Sequence, residues 1–123
     1  MNTSHDRIQR ILVVDDQKAI SDSLALILTK SGYVARSAYS GEQAIELARA
    51  FEPDLLITDI VMPGISGIEA VGEILAFLPT CKVIVFSGQA NTVEVNSHRR
   101  YEILPKPLPP DVLLEHISKL EVP

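Results

Sequence analysis

Five polar side chains in this sequence stand at or just past the end of a short apolar run. Asp15 and Asp16 follow Ile11-Leu12-Val13-Val14, and Asp59 comes after Leu55-Leu56-Ile57. Ser87 closes the run from Val83 to Phe86, and Lys106 comes after Ile103-Leu104. Carboxylates gathered at one place repel one another and are costly unless a cation joins them. A ligand set made of oxygens, with neither imidazole nor thiolate, favours a hard ion, and Mg²⁺ is the natural candidate. A lysine and a hydroxyl beside such an ion complete a site for a phosphoryl group. The metal and Lys106 would neutralise its oxygens while Ser87 donates a hydrogen bond to one of them. Asp59, ionised at neutral pH, is then the nucleophile, and the product is an aspartyl phosphate.

That chemistry requires the five residues to meet, which depends on the elements that carry them. Short β-rich runs alternate with helical periodicity, the pattern of a parallel sheet covered by helices on both faces. Ile11 to Val14 is continuously apolar, as a strand buried on both sides should be. Ile20, Leu24, Ile27 and Leu28 then repeat at helical spacing, with Gly32 placed for a C-cap. Tyr33 to Ala38 reads as a second strand nearer an edge, since Arg36 interrupts it. Ser40-Gly41-Glu42-Gln43 offers a capping box for a helix continuing through Ala44, Ile45, Ala48 and Phe51. Pro53 punctuates, and Leu55 to Ile57 is the third strand. Ser66 with Glu69 opens another helix, with Ile68, Val71, Ile74 and Leu75 inward, which Pro79 stops. Val83 to Phe86 is the fourth strand.

The stretch from Asn91 to Arg100 has only Val93 and Val95 as apolar residues, which predicts a short or poorly anchored helix. Ile103-Leu104 is a brief fifth strand, and Asp111 to Leu120 a final helix with Leu113, Ile117 and Leu120 inward. Five strands and about five helices in strict alternation place functional groups at the carboxyl ends of the strands, the rim where the five polar residues fall.

Composition sets bounds on this reading. The 123 residues, 46% hydrophobic and 22% charged, fit one globular domain over residues 1–123, with Met1 to Arg7 flexible and no output module. A net charge of −5 argues against direct nucleic-acid binding. The single Cys81 cannot form an intramolecular disulfide, which makes a reducing compartment the easier assumption, and it fits a small buried hydrophobe. With no signal peptide and no apolar stretch of about 18 residues, the expected location is the cytoplasm and no membrane partner is expected. His5, His98 and His116 lack metal-like spacing and read as surface residues. Blander roles exist for the site residues too: Asp15-Asp16 could cap a helix, Ser87-Gly88 could be turn chemistry, and Lys106 could be a solvated lysine. Their joint occurrence at strand ends favours the shared site.

The sequence resembles the receiver domain of two-component response regulators from about Ile11 to Leu120. The resemblance is carried by Ile11-Leu12-Val13-Val14-Asp15-Asp16, by Asp59-Ile60-Val61-Met62-Pro63-Gly64 with Gly67, by Phe86-Ser87-Gly88, and by Lys106-Pro107. It implies a doubly wound five-stranded parallel α/β sheet of flavodoxin-like order 2-1-3-4-5. It further implies that Asp59 accepts a phosphoryl group from a phosphohistidine, with a sensor histidine kinase or phosphotransfer protein as donor. Asp16, Asp59 and the backbone carbonyl of Val61 would bind Mg²⁺ directly, and Asp15 mainly through water. Ser87 would be the switch hydroxyl, Lys106 the counter-charge, and the Lys106-Pro107 bond cis. Met62-Pro63-Gly64 and Gly67 would shape the loop after Asp59.

Two features depart from the family. Receiver domains commonly carry a Tyr or Phe three residues before the lysine, where this chain has Ile103; Tyr101 would share a face with Ile103 on a strand and is a possible substitute. The spacing from Ser87 to Lys106 is short, and Asn96 to Arg100 replaces a Gly-Ala turn. Coupling through the usual aromatic, and dimerisation through that face, are therefore not expected; the chain should be a monomer or weak homodimer acting on an unknown downstream protein. Competing readings are a receiver-like binding module that works without phosphorylation and an aspartate-nucleophile hydrolase. The hydrolase would place Asp-x-Asp where Asp15-Asp16-Gln17 stands.

Overall fold

The computed structural model describes residues 7–88, 101–107 and 109–121. Within them the chain runs β1 (Arg10–Val14), α1 (Lys18–Lys30), β2 (Val34–Ala38), α2 (Gly41–Phe51), β3 (Leu55–Asp59), α3 (Gly67–Phe77), β4 (Lys82–Ser87), β5 (Glu102–Pro105) and α4 (Pro110–Leu120). The strands form one sheet in the order β2-β1-β3-β4-β5, parallel throughout, as the resemblance implies. Four helices lie among the described residues. The weak helix expected over Asn91 to Arg100 falls outside them.

Both faces of the central strands are buried, and alternation sorts their side chains. Leu12, Val14, Leu56, Val83 and Val85 join Ala44, Ala48, Val71 and Ile74 of α2 and α3 in one cluster. Ile11, Val13, Leu55, Ile57, Ile84 and Phe86 pack with Leu28 of α1 and Leu113 and Ile117 of α4 in the other. A strand serving two cores has no polar face to spare, which is why the apolar runs are continuous.

Helix α1 is rotated from the expected facing. Its buried residues are Ser21, Ala25 and Leu28, while Ile20, Leu24 and Ile27 are only half-buried. Small side chains at the first two positions let the helix approach the sheet, and the Ser37 hydroxyl donates to the Ser21 carbonyl at 3.2 Å across that contact. The larger apolar residues are displaced to a flank, where they line an apolar groove of about 680 Å³ with Phe86, Pro107 and Pro110.

Local signals at helix ends mostly fall as read. Ser66 and Glu69 form the reciprocal capping box, each side chain taking a backbone N–H of the other (3.1 and 2.9 Å). Ser40 caps α2 by accepting from Gln43 N–H at 3.0 Å. Gln43, however, reaches one residue further back, accepting from Tyr39 N–H at 2.7 Å, so this is not a closed box on Ser40. Gly32 follows α1 with φ of 105°, a left-handed value that suits glycine. Among the described residues no helix is long and apolar enough to cross a membrane.

Candidate functional site

Parallel strands all present their carboxyl ends at one rim, and reversal of strand order between β1 and β3 opens a crevice there. β1 delivers Asp15, which is buried to 2% exposure. Asp15 is pinned on both sides: its N–H donates to the Ala38 carbonyl (3.1 Å) and its Oδ1 accepts from Gln17 N–H (2.9 Å). β3 ends on Asp59, half-buried, whose Oδ1 accepts from Ile60 N–H at 2.9 Å. The β4 and β5 ends are tied together by Lys106 N–H donating to the Ser87 carbonyl at 3.0 Å. The Lys106-Pro107 peptide is cis.

Lys106 then folds over the crevice. Its Nζ lies 2.9 Å from Asp15 Oδ2 and 3.3 Å from Asp59 Oδ2, joining residues 91 positions apart in the chain. Burial alone would lower the lysine pKa, but the hydrogen bond to Asp15 and the charges of Asp59 and Asp15 outweigh it, and the ammonium is held above its ordinary value. Asp59 is raised, first by burial; Lys106 opposes this, and the neighbouring Asp15 charge adds to it. A carboxylate so placed gains from any further positive charge.

Asp15, Asp16 and Asp59 each bring an oxygen within 4.8 Å of the others. One of these residues is buried, one exposed and one between, so the cluster has a solvent side. Oxygen donors alone, with room for water, fit a small hard divalent cation such as Mg²⁺. Val61, whose carbonyl was expected to join them, lies in the loop directly after β3 with its side chain exposed.

That loop is shaped by a close approach. The Gly67 N–H donates to the Ile60 carbonyl at 2.8 Å, and a Cβ at position 67 would stand 1.9 Å from the Asp59 carbonyl oxygen. Glycine is required there because α3 begins against the backbone of Asp59 itself. Buried Thr58 adds a hydroxyl donating to that same carbonyl at 2.9 Å.

The chain matches the response regulator receiver domain family over residues 11–118. It belongs to that family. It is 35% identical over 116 residues to the chemotaxis protein CheY of Thermotoga maritima, covering 91% of this chain and 97% of the relative. Among solved structures it is similar to the response regulator protein TrrA of Thermotoga maritima in complex with Mg²⁺-BeF, with a TM-score of 0.81 and 36% identity; the match covers 92% of this chain and 99% of that one. The receiver domain of the hybrid histidine kinase CckA superposes with a TM-score of 0.80 at 31% identity, again covering 92% and 99%.

Within this receiver domain the residues expected at the site do not all meet. Asp15, Asp16, Asp59 and Lys106 come together, and Ser87 is joined to Lys106 through the backbone. Ile103 pairs with Val85 in the β4–β5 ladder, two positions short of Ser87, and packs on the α2–α3 side of the sheet. Tyr101 packs against the same cluster but precedes β5, in a cleft with Thr80, Cys81, Lys82 and Val83 at the opposite end of β4 from Ser87. Sequence reasoning passed over Glu42, whose Oε2 accepts from Ile65 N–H at 3.2 Å in the loop after Asp59. Its position inside an apparent capping motif made it look local to α2.

Proposed function

We propose that this domain is a phosphoacceptor signalling switch in which Asp59 takes a phosphoryl group from the phosphohistidine of a histidine kinase or phosphotransfer protein, or from a small phosphodonor. The observation that carries the reading is the convergence of three carboxylates within 4.8 Å, with Lys106 Nζ 3.3 Å from Asp59. An Asp59 carboxylate oxygen attacks phosphorus, the P–N bond breaks, and the imidazole leaves with the electron pair and takes up a proton. Asp15, Asp16, Asp59 and the Val61 carbonyl would hold Mg²⁺, which when bound supplies positive charge to the phosphoryl oxygens. Lys106 supplies the other charge and orients on one of those oxygens, and Ser87 donates its hydroxyl to another. No wider catalytic activity is assigned; the domain promotes its own phosphorylation and dephosphorylation and thereby alters protein–protein contacts.

The groove between α1 and the two prolines Pro107 and Pro110 supports the protein donor. It includes Lys106 in its wall, so a partner seated on its apolar lining is held beside the acceptor. Incubation with Mg²⁺ and acetyl phosphate should add the mass of one phosphoryl group to the chain and none to Asp59→Ala. No gain with any donor would leave a binding module that works without phosphorylation, and continuous phosphate release from many monoesters would point to a hydrolase.

A further inference from the structure

We propose that Glu42 is a positioning residue for the cation subsite, acting through the loop that follows Asp59; this rests on the phosphoacceptor reading. The side-chain capping bonds at the start of α2 are made by residues other than Glu42. Ser40 takes the Gln43 N–H and Gln43 takes the Tyr39 N–H, so the polar side chains on either side of Glu42 do the capping. Glu42 reaches across to another element instead. Its Oε2 accepts from Ile65 N–H at 3.2 Å.

The fit around this contact is close. Gly64 has φ of 83°, and a Cβ there would stand 2.7 Å from Glu42 Oε2 and 3.0 Å from Oε1. Next to it, a Cβ on Gly41 would stand 2.5 Å from Ile65 Cγ1. Two glycines therefore let the start of α2 and the loop interlock, one on each side. Neither contact would survive a displacement of the loop by about the length of a hydrogen bond.

The loop is closed at its base by the Gly67 N–H to Ile60 carbonyl bond, and α3 holds its far side through the Ser66–Glu69 box. Val61 sits inside this closure with its side chain 78% exposed, so packing of that side chain does little to fix where its carbonyl points. The conformation of the loop fixes it, and Glu42 anchors that loop to α2. Outer partners that orient a metal ligand commonly change affinity by 10–100-fold when removed. Glu42 acts through several intervening residues, so about the lower end of that range applies.

The test uses the full chain and Mg²⁺ alone. Mg²⁺ affinity is read from amide shifts in NMR titrations, and the Ile65 amide is followed separately by hydrogen exchange without metal. Glu42→Ala should speed Ile65 exchange and weaken Mg²⁺ binding by about tenfold. Glu42→Gln keeps an acceptor oxygen at the same reach and should restore both to within about twofold, since the contact is a hydrogen bond. Glu42→Asp keeps the charge but is too short, and should behave like the alanine variant. Faster Ile65 exchange in Glu42→Ala with unchanged Mg²⁺ affinity would overturn the proposal, as would a Gln variant as weak as Ala. A wild-type chain that binds no Mg²⁺ removes the phosphoacceptor reading as well; one that binds normally while Glu42→Ala is unaffected removes only this inference.

Discussion

The carboxyl rim of the sheet and its β4–β5 edge differ in how they are held. At the rim, Asp15 and Asp59 are brought together by Lys106, with oriented contacts at 2.9 and 3.3 Å between groups that are largely or partly buried. At the edge, the side chains of Ile103 and Tyr101 pack against the apolar α2–α3 cluster. Charge at short range fixes geometry closely and leaves little choice of residue, whereas packing tolerates any side chain of suitable volume. On this view the proposed acceptor chemistry and its readout are separable, and substitutions in the two regions should have different signatures.

The largest expected effect is at Lys106. Lys106→Met should lower the initial rate of mass gain from acetyl phosphate by about 100-fold, the usual cost of removing a charge or donor aimed at the developing oxyanion. The same substitution should strengthen Mg²⁺ binding, because the ammonium that now lies against Asp15 and Asp59 competes with the cation for them. A uniform loss of both rate and metal affinity would mean that Lys106 holds the rim together rather than serving the transferred group.

The next effect separates backbone demand from helix propensity within α3. Gly67→Ala should cost about 3 kcal/mol or more in urea unfolding, because its methyl group would overlap the Asp59 carbonyl oxygen and backbone cannot move aside cheaply. Gly72→Ala, five residues along the same helix, meets nothing within 4 Å and should instead stabilise by about 0.5–1 kcal/mol. Equal effects at the two positions would show that α3 is not seated on Asp59 as described.

These cases show what a sequence can disclose here. Continuous runs at Ile11–Val14, Leu55–Ile57 and Val83–Phe86 reveal the strands because each is buried between two clusters. The same logic locates Asp15, Asp16, Asp59 and Lys106 together, since parallel strands end at one rim. What stays hidden depends on contacts between distant segments. The buried stripe of α1 is Ser21, Ala25 and Leu28, not the larger Ile20, Leu24 and Ile27, because closeness to the sheet selected small residues over greasy ones. Gly67 looks like any loop glycine until the Asp59 carbonyl is placed against it. Glu42 looks like a capping residue until Gln43 is seen to turn to Tyr39.

The smallest effects should come from the β4–β5 edge, and they test the separation most directly. Ile103→Val removes one methylene from a partly buried site and should cost about 0.5–1.5 kcal/mol in stability. It should leave the rate of phosphoryl acceptance within about twofold, since Ile103 pairs with Val85 and not with the strand end at Ser87. Tyr101→Phe should likewise leave that rate unchanged, because the ring lies in the cleft formed with Thr80 to Val83, at the end of β4 opposite Ser87. A beryllofluoride and Mg²⁺ complex provides the complementary measurement: Tyr101 should keep its place in that cleft. If Tyr101 moved toward Ser87 on formation of the complex, or if Tyr101→Phe changed the rate tenfold, the ring would be coupled to the acceptor after all. The edge would then belong to the same machinery as the rim, reached through a residue two positions earlier in the chain than Ile103.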